Sequence, residues 1–401
     1  MNDRALGTSA NPDLAAALRG LPPLPEIPRA RYIDPAFYRN EIDYVFRKVW
    51  LLAGHTSEFA EEGSYRLLDL PFAPVFLLRG KDGVIRAFLN SCQHRGATVL
   101  KDQQGNAKSL TCQYHGWTYD LSGQLIGVPD REDFADLRPE DRSLVSLHCE
   151  QWGNFVFINF AADAPPLLDW LAPIARRYTN IADASLRVVS KQSWDIDCNW
   201  KIVMDAFRET YHIDMVHRRT LAQMIVGRES KNIMYRDGHF TLLTPYSTNV
   251  DWKGVEQQST LARLPGIGGQ EYIDNVVLPG VFPNTLISIQ LSGFPVLQVW
   301  PLSPDRSRID FAWYGMDWGG GPMPEEWHAV TAAYDVVVRE DLSNLASIQK
   351  SLEADPDKRI PLAQQEVMVY QLHAEIDRLI GEENVAPELR VPDILGDHLV
   401  A

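Results

Sequence analysis

The sequence predicts an α+β chain of two domains: a small β domain entered through a leading helix, and a larger one that joins an antiparallel sheet to two long helices. Three observations carry this. At 401 residues the chain is longer than one ordinary core serves. Two separate series of strand-like runs with short turns occupy residues 63–160 and 238–316. Only the second is followed by long helical patterns, at about 324–353 and 361–381. The expected boundaries are an arm and helix at 1–44, a β domain at 45–160, and a second domain at 161–401.

Residues 1–30 are rich in Ala and Pro, with Pro22, Pro23, Pro25 and Pro28 close together, which favours an extended arm. From Pro35 to Trp50 the apolar residues Phe37, Ile42, Val45, Phe46 and Val49 recur at helical spacing. The runs RLLDL, PVFLLR and VIRAFLN, the last two separated by Gly80-Lys81-Asp82-Gly83, predict strands with an Asp-Gly hairpin. A further strand pair turns at Ser122-Gly123, and NFVFINF at 154–160 closes the β domain. The Ala/Pro-rich stretch 161–170 is a bridge, and a polar, irregular approach follows. Strands are then expected in HFTLLTPYS, TLISIQL, VLQVWPL and RIDFAWYGM, which together imply an antiparallel sheet.

A composition of 45% hydrophobic and 23% charged residues is that of a soluble globular protein. The formal charge of −15 argues against nucleic acid and anionic membrane surfaces as partners. With no apolar run near membrane-spanning length and no apolar leader, a cytoplasmic location is expected. Four cysteines are too few for a disulfide scaffold and direct attention to metal ligation.

Two of them sit in matched loops of the β domain, Cys92-x-His94-Arg95-Gly96 and Cys112-x-x-His115-Gly116-Trp117. Two thiolates and two imidazoles suit a tetrahedral zinc or a Rieske [2Fe–2S] centre, in which the cysteines hold one iron and the histidines the other. Each loop gives one Cys and one His, which favours the cluster, because zinc sites usually pair like with like. Gly96 and Gly116 are expected to bring backbone N–H groups to the sulfides. Cys149 and Cys198, and His55, His148, His239, His328, His373 and His398, lack partner spacing and are expected to be structural.

A second constellation is NWKIVMDAFRETYHIDMVH, residues 199–217. On an ideal helix Asp205, Glu209 and His212 fall within about 60° of one another. His217 lies about 140° round from His212, so both imidazoles reach one metal only if the helix bulges or ends between them. The third ligand of a 2-His-1-carboxylate site would come from elsewhere. In AYDVVVREDLSNLASIQKSL the apolar Val338, Leu342, Leu345, Ile348 and Leu352 form a helical stripe that contains Asp341. A carboxylate buried there needs a cation beside it, which an Fe(II) or a salt bridge to Arg339 or Lys350 would supply. Glu340 projects from another face and is the poorer candidate.

CQHRGATVL, CQYHGWTYDLSG and FRKVWLLAGH resemble the Rieske half of the α subunits of Rieske non-haem iron oxygenases, and FRETYHIDMVH is similar to their iron-binding segment. Both motifs occur in the family's order, and the resemblance covers about residues 32–395. It implies a Rieske [2Fe–2S] domain on Cys92, His94, Cys112 and His115, and a helix-grip catalytic domain whose mononuclear Fe(II) is held by His212, His217 and Asp341. It also implies that Glu209 bridges to a Rieske histidine of the next subunit, with Asp205 as the alternative. Glu209 stands where ring-hydroxylating dioxygenases generally have Asp, as in carnitine and glycine-betaine monooxygenases, and Ala206 stands where many relatives have Asn.

The activity so implied is that of a terminal oxygenase component, which hydroxylates an aromatic or cyclic organic substrate with O2. The runner-up is N-demethylation or C–N cleavage of a quaternary ammonium compound; a redox carrier without catalysis is the reading from another class. Trp252, Phe294, Trp300, Phe311, Trp313 and Trp318 are candidates for an apolar pocket or an ammonium cage, or for plain core. The absence of a Rossmann-type Gly motif implies that NAD(P)H acts only through a separate reductase, with or without a ferredoxin. Family members assemble head to tail as homotrimers, and some add a β subunit.

Overall fold

A computed structural model describes residues 20–248, 270–290 and 293–400. They fall into two compact units. One comprises Phe46–Trp170 with Ala182–Ala184, and the other comprises residues 20–45, Leu171–Ile181 and the described residues from Ser185 onward. No helix among the described residues is long and apolar enough to cross a membrane.

The first unit is built mainly of β-strands. Its strands are β1 (Leu51–His55), β2 (Ser64–Leu70), β3 (Ala73–Arg79), β4 (Ile85–Leu89), β5 (Gln104–Asn106), β6 (Leu110–Thr111), β7 (Thr118–Tyr119), β8 (Leu125–Gly127), β9 (Ser146–Trp152) and β10 (Phe155–Asn159). Seven form an antiparallel sheet in the order β1-β10-β9-β4-β3-β2-β5, and β6-β7-β8 form a second. The expected hairpin closes where Gly83 N–H donates to Gly80 O at 3.0 Å and Gly80 N–H to Val84 O at 2.9 Å. Phe76, Leu78, Phe88, Leu110, Trp117 and Tyr119 form the core on which the two Cys/His loops rest.

The second unit begins with α1 (Pro35–Asn40), where Asp34 caps Phe37 N–H at 2.6 Å and Pro35 takes the first helical position. A π-helical turn through Glu41–Phe46 follows. Its antiparallel sheet contains β11 (Leu186–Ile196), β12 (Lys231–Met234), β13 (Phe240–Pro245), β14 (Asn275–Val281), β15 (Thr285–Ile287), β16 (Phe294–Ser303) and β17 (Arg306–Met316), in the order β11-β17-β16-β15-β14-β13-β12. β11 corrects the expected irregular approach. This edge strand is polar and only half-buried, so its eleven residues carry no apolar run, yet they pair with β17 along the whole length.

Four helices complete the frame of the site: α2 (Trp200–Phe207), α3 (Ile213–Val216), α4 (Glu326–Ala354) and α5 (Val367–Ile380). The expected stripe on α4 is also corrected. Val338, Asp341, Leu345, Gln349 and Leu352 are buried, whereas Ile348 is exposed and Leu342 half-buried. Gln349 joins α4 to α2, since its Oε1 accepts from Asn199 N–H at 3.0 Å. Asn199 in turn caps α2, its side chain accepting from Lys201 N–H at 3.0 Å. Lys201 and Glu41, both fully buried, pair at 2.7 Å, and Trp200 Nε1 donates to Glu41 at 3.0 Å. Asn-Trp-Lys thereby fixes both the start of α2 and its contact with the leading segment.

Candidate functional site

The two Cys/His loops have the same backbone design. Cys92 N–H donates to Ala97 O and Gly96 N–H to Cys92 O; Cys112 N–H donates to Trp117 O and Gly116 N–H to Cys112 O, all at 2.8–2.9 Å. Gly96 and Gly116 have φ of +79° and +70°, a region that L side chains rarely adopt. Their N–H groups close the loops through the cysteine carbonyls. Asn90 braces the first loop, accepting from Val99 and Leu100 N–H and donating to Leu100 O.

Cys92 and Cys112 are buried, while His94 is half-buried and His115 exposed. The two imidazoles lie 4.6 Å apart by ring centroid, and His94 stacks on Trp117 at 4.8 Å. His94 Nδ1 is buried without a hydrogen-bond partner, as a metal-directed nitrogen would be. Tyr119 Oη lies 3.2 Å from Cys92 Sγ and accepts from Gln93 N–H at 2.9 Å. Only His212, His217 and Asp341, among the described residues, bring three or more such ligand atoms within 4.8 Å of one another. The loop donor set of two thiols and two imidazoles fits a two-iron cluster.

The second site depends on a break in the helix. α2 ends at Phe207, so Asp205, Glu209 and His212 do not share a continuous helical face as expected. Tertiary tethers cause the break. The buried Arg208 guanidinium donates to Met368 O at 3.1 Å and Gly238 O at 3.3 Å, and Thr210 Oγ1 donates to Gly227 O at 2.9 Å. Glu209 then caps the next turn, accepting from Tyr211 and His212 N–H. His212 and His217 flank α3, with ring centroids 5.2 Å apart.

Both Nε2 atoms face Asp341 Oδ1 on α4, at 3.4 Å from His212 and 2.8 Å from His217. Each Nδ1 meets a different carboxylate. His212 Nδ1 is hydrogen-bonded to Glu209, and His217 Nδ1 lies 2.8 Å from Glu340, which also accepts from Thr220 Oγ1 at 2.5 Å. Metal-binding histidines are usually oriented in this way, with the outer nitrogen donating to a carboxylate. Glu340 is thus a functional candidate that sequence reasoning set aside. It lies 123 residues from His217, and no local spacing announces the contact. Burial disfavours a charged His217, but Asp341 and then Glu340 outweigh it and raise its pKa above the ordinary value. The site attracts positive charge, and its N, N, O donor set fits a divalent iron.

This triad lines a cavity of about 770 Å³, within the usual size of a small-molecule site. Leu221, Ile225, Leu242, Val276, Leu278, Leu297 and Val330 make its walls mainly aliphatic, and Phe311, Trp318, Trp327 and Tyr334 add aromatic surface. Ala206 also lines it. Among the described residues no Lys or Arg does. Asp317 at the cavity is 3.6 Å from Arg187, and Glu326 is exposed, so neither leaves an uncompensated charge in the interior.

Asp205 is not drawn into the triad; its Oδ2 accepts from Tyr32 Oη at 2.7 Å. Burial lifts the Cys149 and Cys198 thiols to about 12, which suits a structural role. His373 is buried in a chain with Arg31 and Tyr32. Trp252 lies outside the described residues, and Phe294, Trp300 and Trp313 are core.

Comparison with known proteins places these features in context. Residues 49–139 match the model of the Rieske [2Fe-2S] domain, and residues 183–382 that of the ring hydroxylating alpha subunit (catalytic domain). Over 198 residues the chain is 36% identical to biphenyl 2,3-dioxygenase subunit alpha of Rhodococcus jostii (strain RHA1), covering 48% of this chain and 42% of that protein. It is 35% identical over 198 residues to benzene 1,2-dioxygenase subunit alpha of Pseudomonas putida, covering 48% and 43%. The chain thus spans less than half the length of these curated relatives. The fold is that of naphthalene 1,2-dioxygenase from Rhodococcus sp. bound to indole, with a TM-score of 0.75, 22% identity and coverage of 88% and 94%. It is equally that of the quaternary ammonium monooxygenase CntA in complex with L-carnitine, with a TM-score of 0.74, 21% identity and coverage of 89% and 96%.

Proposed function

We propose, for a chain that belongs to the family of ring-hydroxylating α subunits with a Rieske [2Fe–2S] domain, that it is a terminal oxygenase component acting on an aromatic or cyclic organic compound. The observation that carries this reading is the convergence of His212, His217 and Asp341 at a large aliphatic and aromatic cavity without a cationic side chain among its described lining. An Fe(II) held by these three residues would supply the binding and activation of O2, and a cluster on Cys92, His94, Cys112 and His115 would supply stored reducing equivalents.

The chain's own residues have separable tasks. Glu209 and Glu340 hold the two imidazoles with Nε2 inward, and Asp341 supplies the anionic ligand. The aliphatic walls exclude water and place an apolar ring beside the triad. Glu209, next to the exposed Tyr211 and Met215, is also assigned the link to a Rieske histidine of a neighbouring subunit in a head-to-tail homotrimer. Reducing equivalents come from a separate reductase, directly or through a ferredoxin.

A quaternary ammonium substrate is the second reading, favoured by Glu at position 209 and by the aromatic lining. A carnitine-like compound would bring a carboxylate into a cavity whose described lining has no cation to receive it. The deciding experiment supplies purified protein with a reductase, O2 and a panel of arenes and quaternary amines. Hydroxylated arene is the expected product; product from quaternary amines alone would overturn the leading reading. Iron analysis separates both from a redox carrier, because Asp341→Ala and His212→Ala should lose the mononuclear iron and keep the cluster's visible absorption. Full iron retention in both variants would refute the ligand assignment.

A further inference from the structure

Resting on the arene reading above, we infer that the cavity carries a polar recognition point for a neutral hydroxyl or carbonyl at the end of the substrate away from the metal triad, formed by Ser288, Gln290 and Tyr334. The substrate class is then a multi-ring arene that already bears an oxygen substituent.

Two elements bring these residues together. Leu286, Ser288 and Gln290 alternate along one chain segment and all line the cavity, as period-two backbone requires. Tyr334 stands seven residues before Asp341 on α4, so it faces nearly the same way about 10.5 Å further along the helix axis. The helix thus acts as a ruler between the carboxylate of the triad and the phenol. Tyr334 is held rigidly, stacked on Phe311 at 5.5 Å and edge-on to Trp313 at 5.2 Å.

Gln290 Nε2 donates to Ser288 Oγ at 2.9 Å, and both side chains are polar neighbours of the Tyr334 hydroxyl. That bond engages one of the four donors that a serine, a glutamine and a tyrosine carry between them, and leaves acceptor capacity as well. A plain hydrocarbon would leave that capacity unused, whereas a phenol or aryl ketone would meet it. The alternative of an anionic substituent is disfavoured because no Lys or Arg is among the described lining residues.

Equilibrium binding to the iron-loaded protein under nitrogen, followed by tryptophan fluorescence, tests this with biphenyl, 4-hydroxybiphenyl and 2-hydroxybiphenyl. Two additional neutral hydrogen bonds should make 4-hydroxybiphenyl bind about tenfold tighter than biphenyl, and the ruler should make it tighter than the 2-isomer. Tyr334→Phe and Gln290→Leu should each remove most of that preference, with Ser288→Ala as a milder third variant and the cluster's visible absorption as the check on folding. Equal binding of biphenyl and 4-hydroxybiphenyl by the wild type, equal binding of the two isomers, or a preference that survives in all three variants overturns the inference. Turnover of biphenyl itself reports on the oxygenase reading independently, because the binding series needs no O2.

Discussion

Replacing Glu340 isolates the part of the metal site that only the structure reveals. Its carboxylate lies 2.8 Å from His217 Nδ1 and is held in place by Thr220 at 2.5 Å. His217 is 1% exposed but the Glu340 side chain is 27% exposed, so water can partly take the place of the lost acceptor. Removing such an outer partner typically weakens metal binding about 10- to 100-fold, or roughly 1.4–2.7 kcal/mol. For Glu340→Ala the partial exposure of that carboxylate argues for the lower half of that range. Glu340→Gln retains an oxygen acceptor and should lose less. Fe(II) titration of chelator-stripped protein, with the cluster's visible absorption as an internal standard, measures both. The reasoning fails if Glu340→Ala binds Fe(II) as tightly as wild type under conditions where Asp341→Ala does not bind it.

Tyr119→Phe removes the hydroxyl 3.2 Å from Cys92 Sγ and should lower the cluster's reduction potential, by about 59 mV if that bond strengthens tenfold on reduction; an unchanged voltammetric midpoint would contradict it. Lys201→Met strands the buried Glu41 carboxylate and should destabilise the second unit by about 3–5 kcal/mol. Adding Glu41→Gln should recover part of the lost thermal midpoint. His373 accepts from Arg31 Nε at Nδ1 (3.0 Å), so its Nε2–H donates to Tyr32 Oη (2.9 Å) and Tyr32 donates to Asp205. Burial, then the cations Arg31, Lys201 and Arg208, depress its folded-state pKa well below 6.5. The unfolded chain therefore takes up the proton first. Stability is full above about pH 6.5 and declines as pH falls towards the folded-state value. His373→Gln can accept from Arg31 and donate to Tyr32 without titrating, and should flatten the decline seen in melts between pH 7 and 5; an undiminished slope would assign the effect elsewhere.

The Cys/His loops could be read in the sequence because each is a contiguous motif on a hairpin-forming background, and the loops repeat the same backbone hydrogen bonds. Asp341 could be singled out because a carboxylate on an apolar helical stripe demands compensation, and it is indeed buried at 6% exposure. The end of α2 could not be located from spacing alone. His212 and His217 implied a bulge or an end, but the tethers that end the helix run from Arg208 to Met368 and Gly238, and from Thr210 to Gly227. β11 was missed for a related reason. Its stability comes from the ladder with β17, while only its second half alternates between half-buried and exposed.

The two histidines are held in physically different ways, and this has a consequence for control of the site. Glu209 is three residues from His212 and comes with the same turn, so that imidazole and its acceptor move together. His212 is 22% exposed at its side chain, and Tyr211 and Met215 beside it are 61% and 81% exposed. His217 is buried, and its acceptor belongs to a separate 29-residue helix. The Glu209 side chain is 10% exposed and that of Glu340 27%, so both acceptors are open in part to solvent, while the His217 ring itself is enclosed. Perturbation at the surface should change the orientation of His212 before it changes that of His217. The half of the site with the more exposed imidazole is then the half written in contiguous sequence, and the half with the enclosed imidazole is the one that only long-range folding assembles.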